Sequence, residues 1–186
     1  MSDARPARVT WVLLSYRVPR EPSTPRIAIW RALKRLGVAQ LGDGLVALPA
    51  DARTQEQLEW VSGAVVEAGG SATLWTATMT SRAQERRLIA DLASARAAEY
   101  AALRDKIHAM PPFSPSSRPS SERTRTLATL RRELRQVIRR DFFPPPERDQ
   151  VKAMVESLSP LPANIGTDTN AAAPDDVAGS HAQATP

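Results

Sequence analysis

At 186 residues the chain has room for one domain, or one small domain with appendages. It contains no cysteine, which excludes disulfides, thiol nucleophiles and thiolate metal sites. Only two histidines exist, His108 and His181, and the second lies in a tail expected to be disordered, so neither a histidine-built metal cage nor a Ser-His-Asp triad is expected.

No apolar run approaches the roughly 18 residues of a membrane span, and Met1 to Val9 has no signal-like apolar region. A cytoplasmic protein without membrane association is expected. The formal charge of +5 is unevenly spread. Nine bases face seven acids over residues 1–80, sixteen face ten over 81–159, and 160–186 hold three acids and no base. Most of the bases are arginine, whose planar fork suits phosphate and carboxylate.

Val9–Val18 (VTWVLLSYRV) is apolar on both faces and β-branched, the pattern of a central buried strand. Pro19, Pro22 and Pro25 stop it and stiffen the connection. A helix follows, with Ser23 or Thr24 as its cap, Ile27, Trp30, Leu33 and Leu36 as its stripe, and Gly37 as its end. Leu41, the turn Gly42-Asp43-Gly44 and Leu45–Leu48 read as a hairpin closed by Pro49. Thr54-x-x-Gln57 predicts a capping box for a second helix with Leu58, Val61 and Val65 inside and Gly69-Gly70 as its stop. Ser71–Met79 then alternates as a strand. The order strand, helix, strand, strand, helix, strand is the ferredoxin-like βαββαβ plan.

Ser81-x-x-Gln84 opens a long helix to about Ala109, with Leu88, Leu92, Ala95, Leu103 and Ile107 as its seam. A flexible Pro/Ser linker is expected over 111–122 and an arginine-rich helix from Thr124 to about Arg140. Its stripe is Leu127, Leu130, Leu134, Val137 and Ile138. FFPPP (142–146) ends it, and Glu147–Leu158 suggests a short last helix. The expected organisation is an α+β chain: a ferredoxin-like module over 8–80, a basic helical extension over 81–158, and a disordered tail over 159–186.

No catalytic motif stands out. Gly42-Asp43-Gly44 lacks phosphate-loop spacing, and Asp43 and Asp51 read as turn or cap residues before metal ligands. Ser15 lies inside a strand, away from any nucleophile elbow. Neither cofactor nor metal is expected. The four tryptophans sit among apolar neighbours and read mostly as core.

The basic helices are the candidate chemistry. Arg26, Arg31, Lys34 and Arg35 occupy a helix without an acid from Ser23 to Gln40. On the later helix Arg132, Arg135 and Arg139 share a face and Arg140 follows, a set suited to nucleic-acid backbone. The bland alternative pairs that helix with Glu85, Asp91, Glu99 and Asp105 of the helix before it.

WVLLSYRVPREPSTPRIAIWRALKRLG (11–37) and AQLGDGLVALPADARTQEQLEW (39–60) resemble the N-terminal domain of the chromate-resistance regulator family, ChrB. The likeness extends over residues 8–158, DFFPPP (141–146) included, and is densest in 11–60. It implies a cytoplasmic, chromate-responsive repressor that binds the promoter DNA of a chromate-efflux operon, with chromate or another oxyanion as effector. The family's second, C-terminal domain, associated with chromate sensing, is expected to be missing. An accessory module that partners a separate protein carrying that domain is thus the alternative, and a homodimer is also admitted. More loosely, the plan is similar to the middle domain of phenylacetate-catabolon repressors and to the small CRISPR-associated ribonuclease. The ribonuclease carries an aspartate at the end of its first strand; Ser15-Tyr16-Arg17 stands here, so no enzyme is expected.

Overall fold

The computed structural model describes residues 8–110 and 121–158. The elements are β1 (Thr10–Arg17), α1 (Ser23–Leu36), β2 (Ala39–Gly42), β3 (Leu45–Pro49), α2 (Ala52–Glu67), β4 (Ser71–Thr78), α3 (Arg82–His108), α4 (Ser121–Arg139) and α5 (Glu147–Ser157). The fold is α+β. Its first six elements form the ferredoxin-like unit, with strands in the order β2-β3-β1-β4 and each neighbouring pair antiparallel. Most of the expected linker, 111–120, and the expected disordered tail, 159–186, lie outside the described residues.

As its two-faced apolar pattern predicts, β1 is central, and Leu14 stands between Val46 of β3 and Leu74 of β4. Val12 and Leu14 pack with Ile29 and Leu33 of α1 and with Leu58, Val61 and Val65 of α2. On the opposite face Trp11 joins Ala39, Ala47 and Leu92, with Leu88 and Ile89 of α3 beside them. The second half of α3 enters a third core, where Tyr100, Leu103 and Ile107 meet Leu127, Leu130, Leu134 and Val137 of α4 and Val151 and Val155 of α5. One long helix therefore covers the sheet at one end and builds a helical bundle at the other.

The segment after α4 ties these layers together. Phe142 packs against the core under α1 and α2, while Phe143 packs on the other sheet face, its ring 6.0 Å from that of Trp11. Arg53, in the first turn of α2, lies over the Phe142 ring at 5.5 Å and donates to the carbonyl of Arg139 at 2.8 Å.

Several local expectations shift. Gly37 does end α1, at φ 72°, with its N–H on the Leu33 and Lys34 carbonyls. Ser81 does cap α3, accepting from the Gln84 N–H at 3.3 Å. Neither Ser23 nor Thr24 caps α1, because the helix already begins at Ser23 after Pro22. The box that opens α2 lies one turn earlier than expected: Asp51 is the cap, accepting from the Thr54 N–H at 2.7 Å, and Thr54 Oγ1 in turn accepts from the Asp51 N–H. Asp43 is an exposed residue in the β2–β3 turn.

The buried face of α1 is also different. Ile29 and Leu33 face the core, whereas Ile27 and Trp30 are exposed. Isoleucines and a tryptophan at 27, 29 and 30 offer two overlapping stripes, and packing on α2 and the sheet selects the one through Ile29. Of the tryptophans only Trp11 is core; Trp30 is 53% exposed, Trp60 75% and Trp75 59%. The seam of α3 passes through Arg96, not Ala95, which is exposed.

Candidate functional site

The C-terminal ends of α1 and α4 meet, and each brings basic side chains because a helix C-terminus carries partial negative charge. Lys34 and Arg35 lie in the last turn of α1, and Arg139 in that of α4 with Arg140 just beyond. Two adjoining cavities flank the junction. The larger, about 520 Å³, is lined by Lys34, Arg35, Arg96, Glu99 and Arg140 together with Tyr16, Trp30 and Gly37. The smaller, about 390 Å³, is lined by Arg35, Arg53, Gln57, Gln136, Arg139 and Arg140. Arg35 and Arg140 belong to both.

Four of the expected residues, Lys34, Arg35, Arg139 and Arg140, are thus brought together. Arg26 and Arg31 are exposed on α1, and Arg132 and Arg135 on α4, and none of these lines either cavity. Arg53 and Arg96 join the site without having been expected there. Arg53 carried no signal in the sequence. Arg96 did carry one: it takes a place in the series Leu92, Arg96, Tyr100, Leu103, Ile107, where every other member is an apolar or aromatic seam residue.

Glu99 organises the larger cavity. One of its oxygens pairs with Arg96 Nη2 at 3.1 Å, and the other accepts from Arg140 Nε at 3.1 Å and Nη2 at 2.5 Å. Arg96 is only 9% exposed, and its Nε and Nη1 have no hydrogen-bond partner among the described residues. Burial pulls its guanidinium below the ordinary arginine value, and the Glu99 carboxylate pulls it back. The Lys34 ammonium rests 4.5 Å over the Trp30 ring.

Gly37 is required here twice over. Its positive φ disfavours any side chain, and an added Cβ would stand 2.7 Å from Arg96 Nη1 and 3.0 Å from Arg140 Cβ. Behind the cavity, the buried Tyr100 hydroxyl donates to Asp141 at 2.8 Å. Burial, and then that hydrogen bond and the charge of Asp141, raise its pKa above the ordinary tyrosine value.

Of the expected residues Arg132, Arg135, Arg139 and Arg140, the bland reading of α4, arginines paired with acids of α3, accounts for Arg140. Glu99 holds it, whereas Glu85 accepts from the Val9 N–H and Asp105 pairs with Arg104 at 3.6 Å. A further bridge between the helices runs the opposite way, from Lys106 to Glu133 at 2.6 Å. Arg132, Arg135 and Arg139 have no carboxylate partner among the described residues. Among the described residues no three His, Asp or Glu side chains gather as a metal site, and no helix is long and apolar enough to cross a membrane.

The family model described as the N-terminal region of protein ChrB covers residues 26–110, from α1 to the end of α3, and so includes Lys34, Arg35, Arg53, Arg96 and Glu99. Arg139 and Arg140 lie beyond it. No curated protein and no solved structure matches the chain.

Proposed function

We propose, from the match of residues 26–110 to the family model of the ChrB N-terminal region, that the chain is a non-enzymatic, DNA-binding regulator of a chromate-resistance operon. Promoter DNA is its partner in this reading, chromate or a related oxyanion its effector, and the cytoplasm its setting. The observation that carries the reading is the meeting of Lys34 and Arg35 with Arg139 and Arg140 along two joined cavities, where Glu99 is the one carboxylate among the lining residues.

Neutralising a helix end asks for one base or so at each terminus. The junction holds more, and the exposed Arg132 and Arg135 extend the same sign along α4. Duplex backbone rewards such an arrangement because each neutralised phosphate releases counterion. Contacts of this kind position a protein on DNA; they do not read its sequence.

The test is fluorescence anisotropy on a duplex from the chain's own upstream region. Replacing Arg35 and Arg139 together by glutamine should weaken binding about tenfold or more at low salt and reduce the log–log salt slope by about 2, near one unit per lost phosphate contact. An unchanged affinity and slope would remove the junction from DNA binding.

One observation favours the accessory role as a second reading. Pro25, Ala28, Ile29, Ala32, Trp60, Val61 and Ala64 line an apolar groove of about 400 Å³ between α1 and α2, with Trp60 largely exposed. A surface of this kind suits a protein partner such as a separate chromate-sensing domain. Absence of DNA binding at low salt, with retained complex formation with that domain, decides for it.

A further inference from the structure

We propose that the larger cavity at the α1–α3–α4 junction is a binding site for a small tetrahedral oxyanion of the sulfate and phosphate class. Four cationic side chains line it, Lys34, Arg35, Arg96 and Arg140, against the single carboxylate of Glu99. A purely structural Arg–Glu–Arg cluster explains Arg140 and one nitrogen of Arg96. It leaves Arg96 Nε and Nη1 buried without a partner, and such donors are costly unless something satisfies them. A dianion with acceptor oxygens on every side is the chemistry that meets a guanidinium, a second guanidinium and an ammonium at once.

In this reading Glu99 is the resident counter-charge. Its oxygens occupy Arg96 Nη2 and Arg140 Nε and Nη2, the donors an incoming oxyanion would also approach. It keeps the four bases from forming an uncompensated cluster and sets a threshold that a ligand has to exceed. The parts of the site come from two places in the fold. Lys34, Arg35 and Gly37 belong to the ferredoxin-like unit, whereas Arg96 and Arg140 belong to α3 and to the segment after α4. An anion bridging them fixes the end of α1 against the end of α4. The same chemistry could arrive on a nucleic-acid backbone, and because the site shares Lys34, Arg35 and Arg140 with the proposed DNA surface, the test separates the two sources.

Calorimetric titration of the full chain with sulfate and with phosphate, at low ionic strength held constant with chloride, should give saturable one-site binding. Glu99→Gln should tighten it about tenfold by removing the competing charge. Lys34→Gln, on an exposed residue whose loss the fold tolerates, should weaken it severalfold, and Arg140→Gln about tenfold. Arg86→Gln, exposed on α3 away from the cavity, should leave it unchanged. Absence of saturable heat with both anions, or affinity indifferent to Glu99→Gln and Lys34→Gln alike, overturns the site. Binding of a short duplex that depends on Lys34 and Glu99, with none of either free anion, also overturns it and assigns the cavity to backbone phosphate. Failure of the operator duplex to bind while sulfate still does would instead strike the DNA-binding role and leave the oxyanion site standing.

Discussion

Arg135 and Arg140 stand near the end of the same helix and meet different surroundings. Arg140 is half-buried, pinned by two bonds to Glu99 and packed against the glycine that ends α1. Arg135 is exposed and has no carboxylate partner among the described residues. A charge in the first setting is poorly screened and bound up with the packing of three helices. In the second it is solvated, screened within about 10 Å at 0.1 M salt, and nearly irrelevant to folding. Arginine content alone therefore says little about function here. The two settings predict different profiles, Arg140 showing in stability as well as in binding and Arg135 in salt-dependent association alone.

The sharpest way to break this comparison is to cut one residue of each kind. Arg140→Ala strips Glu99 of its strongest partner and leaves Arg96 facing an incompletely held carboxylate. The cost should be about 2 kcal/mol, below the range for a fully buried pair because Glu99 and Arg140 remain partly exposed. Arg135→Ala should stay within about 0.5 kcal/mol of the parent. Denaturation in urea measures both. Equal losses would mean that α4 draws no distinction between its inner and outer arginines.

Next in size is the hydrogen bond behind the junction. Tyr100→Phe removes the donor from Asp141, whose other oxygen already lacks a partner among the described residues, and should cost about 1–3 kcal/mol. It also changes the dependence on pH. The folded-state pKa of Tyr100 is raised, by burial first and then by Asp141, so its contribution is complete below the ordinary value of 10.0. As pH rises past that value the unfolded tyrosine ionises while the folded one keeps its proton, and stability falls. Tyr100→Phe should flatten this alkaline fall, leaving the part due to Tyr16, which burial also raises. A variant that keeps the full alkaline slope would place the titration elsewhere.

Much of the scaffold of this junction was legible in the sequence. The two-faced run Trp11–Leu14 located the central strand, Gly37 and Ser81 marked helix boundaries, and Leu127, Leu130, Leu134 and Val137 gave the buried side of α4. Each of these rests on a local rule that tertiary packing had no reason to overturn. The face of α1 was not legible, because Ile27, Ile29 and Trp30 are all apolar and only the neighbouring elements choose among them. Arg96 was hidden by its type: an arginine in a helix reads as surface until its place in the seam is compared with Leu92 and Tyr100. The meeting of Lys34 and Arg35 with Arg139 and Arg140 is a contact between distant segments, which no local pattern encodes.

The smallest effect on folding bears most directly on the outer arginines. Arg132→Gln with Arg135→Gln should change stability by no more than about 0.5 kcal/mol, since both side chains are exposed and neither lines either junction cavity. If α4 lies along a duplex, the pair should lower the log–log salt slope of DNA binding by up to about 2 and weaken binding to all sequences alike, because phosphate contacts carry no sequence information. Measured beside the Arg35 and Arg139 variant, the result locates the footprint. A slope that falls only for Arg35 and Arg139 confines the backbone contact to the junction, with the outer face of α4 merely solvated. One that falls for both extends the contact along the helix.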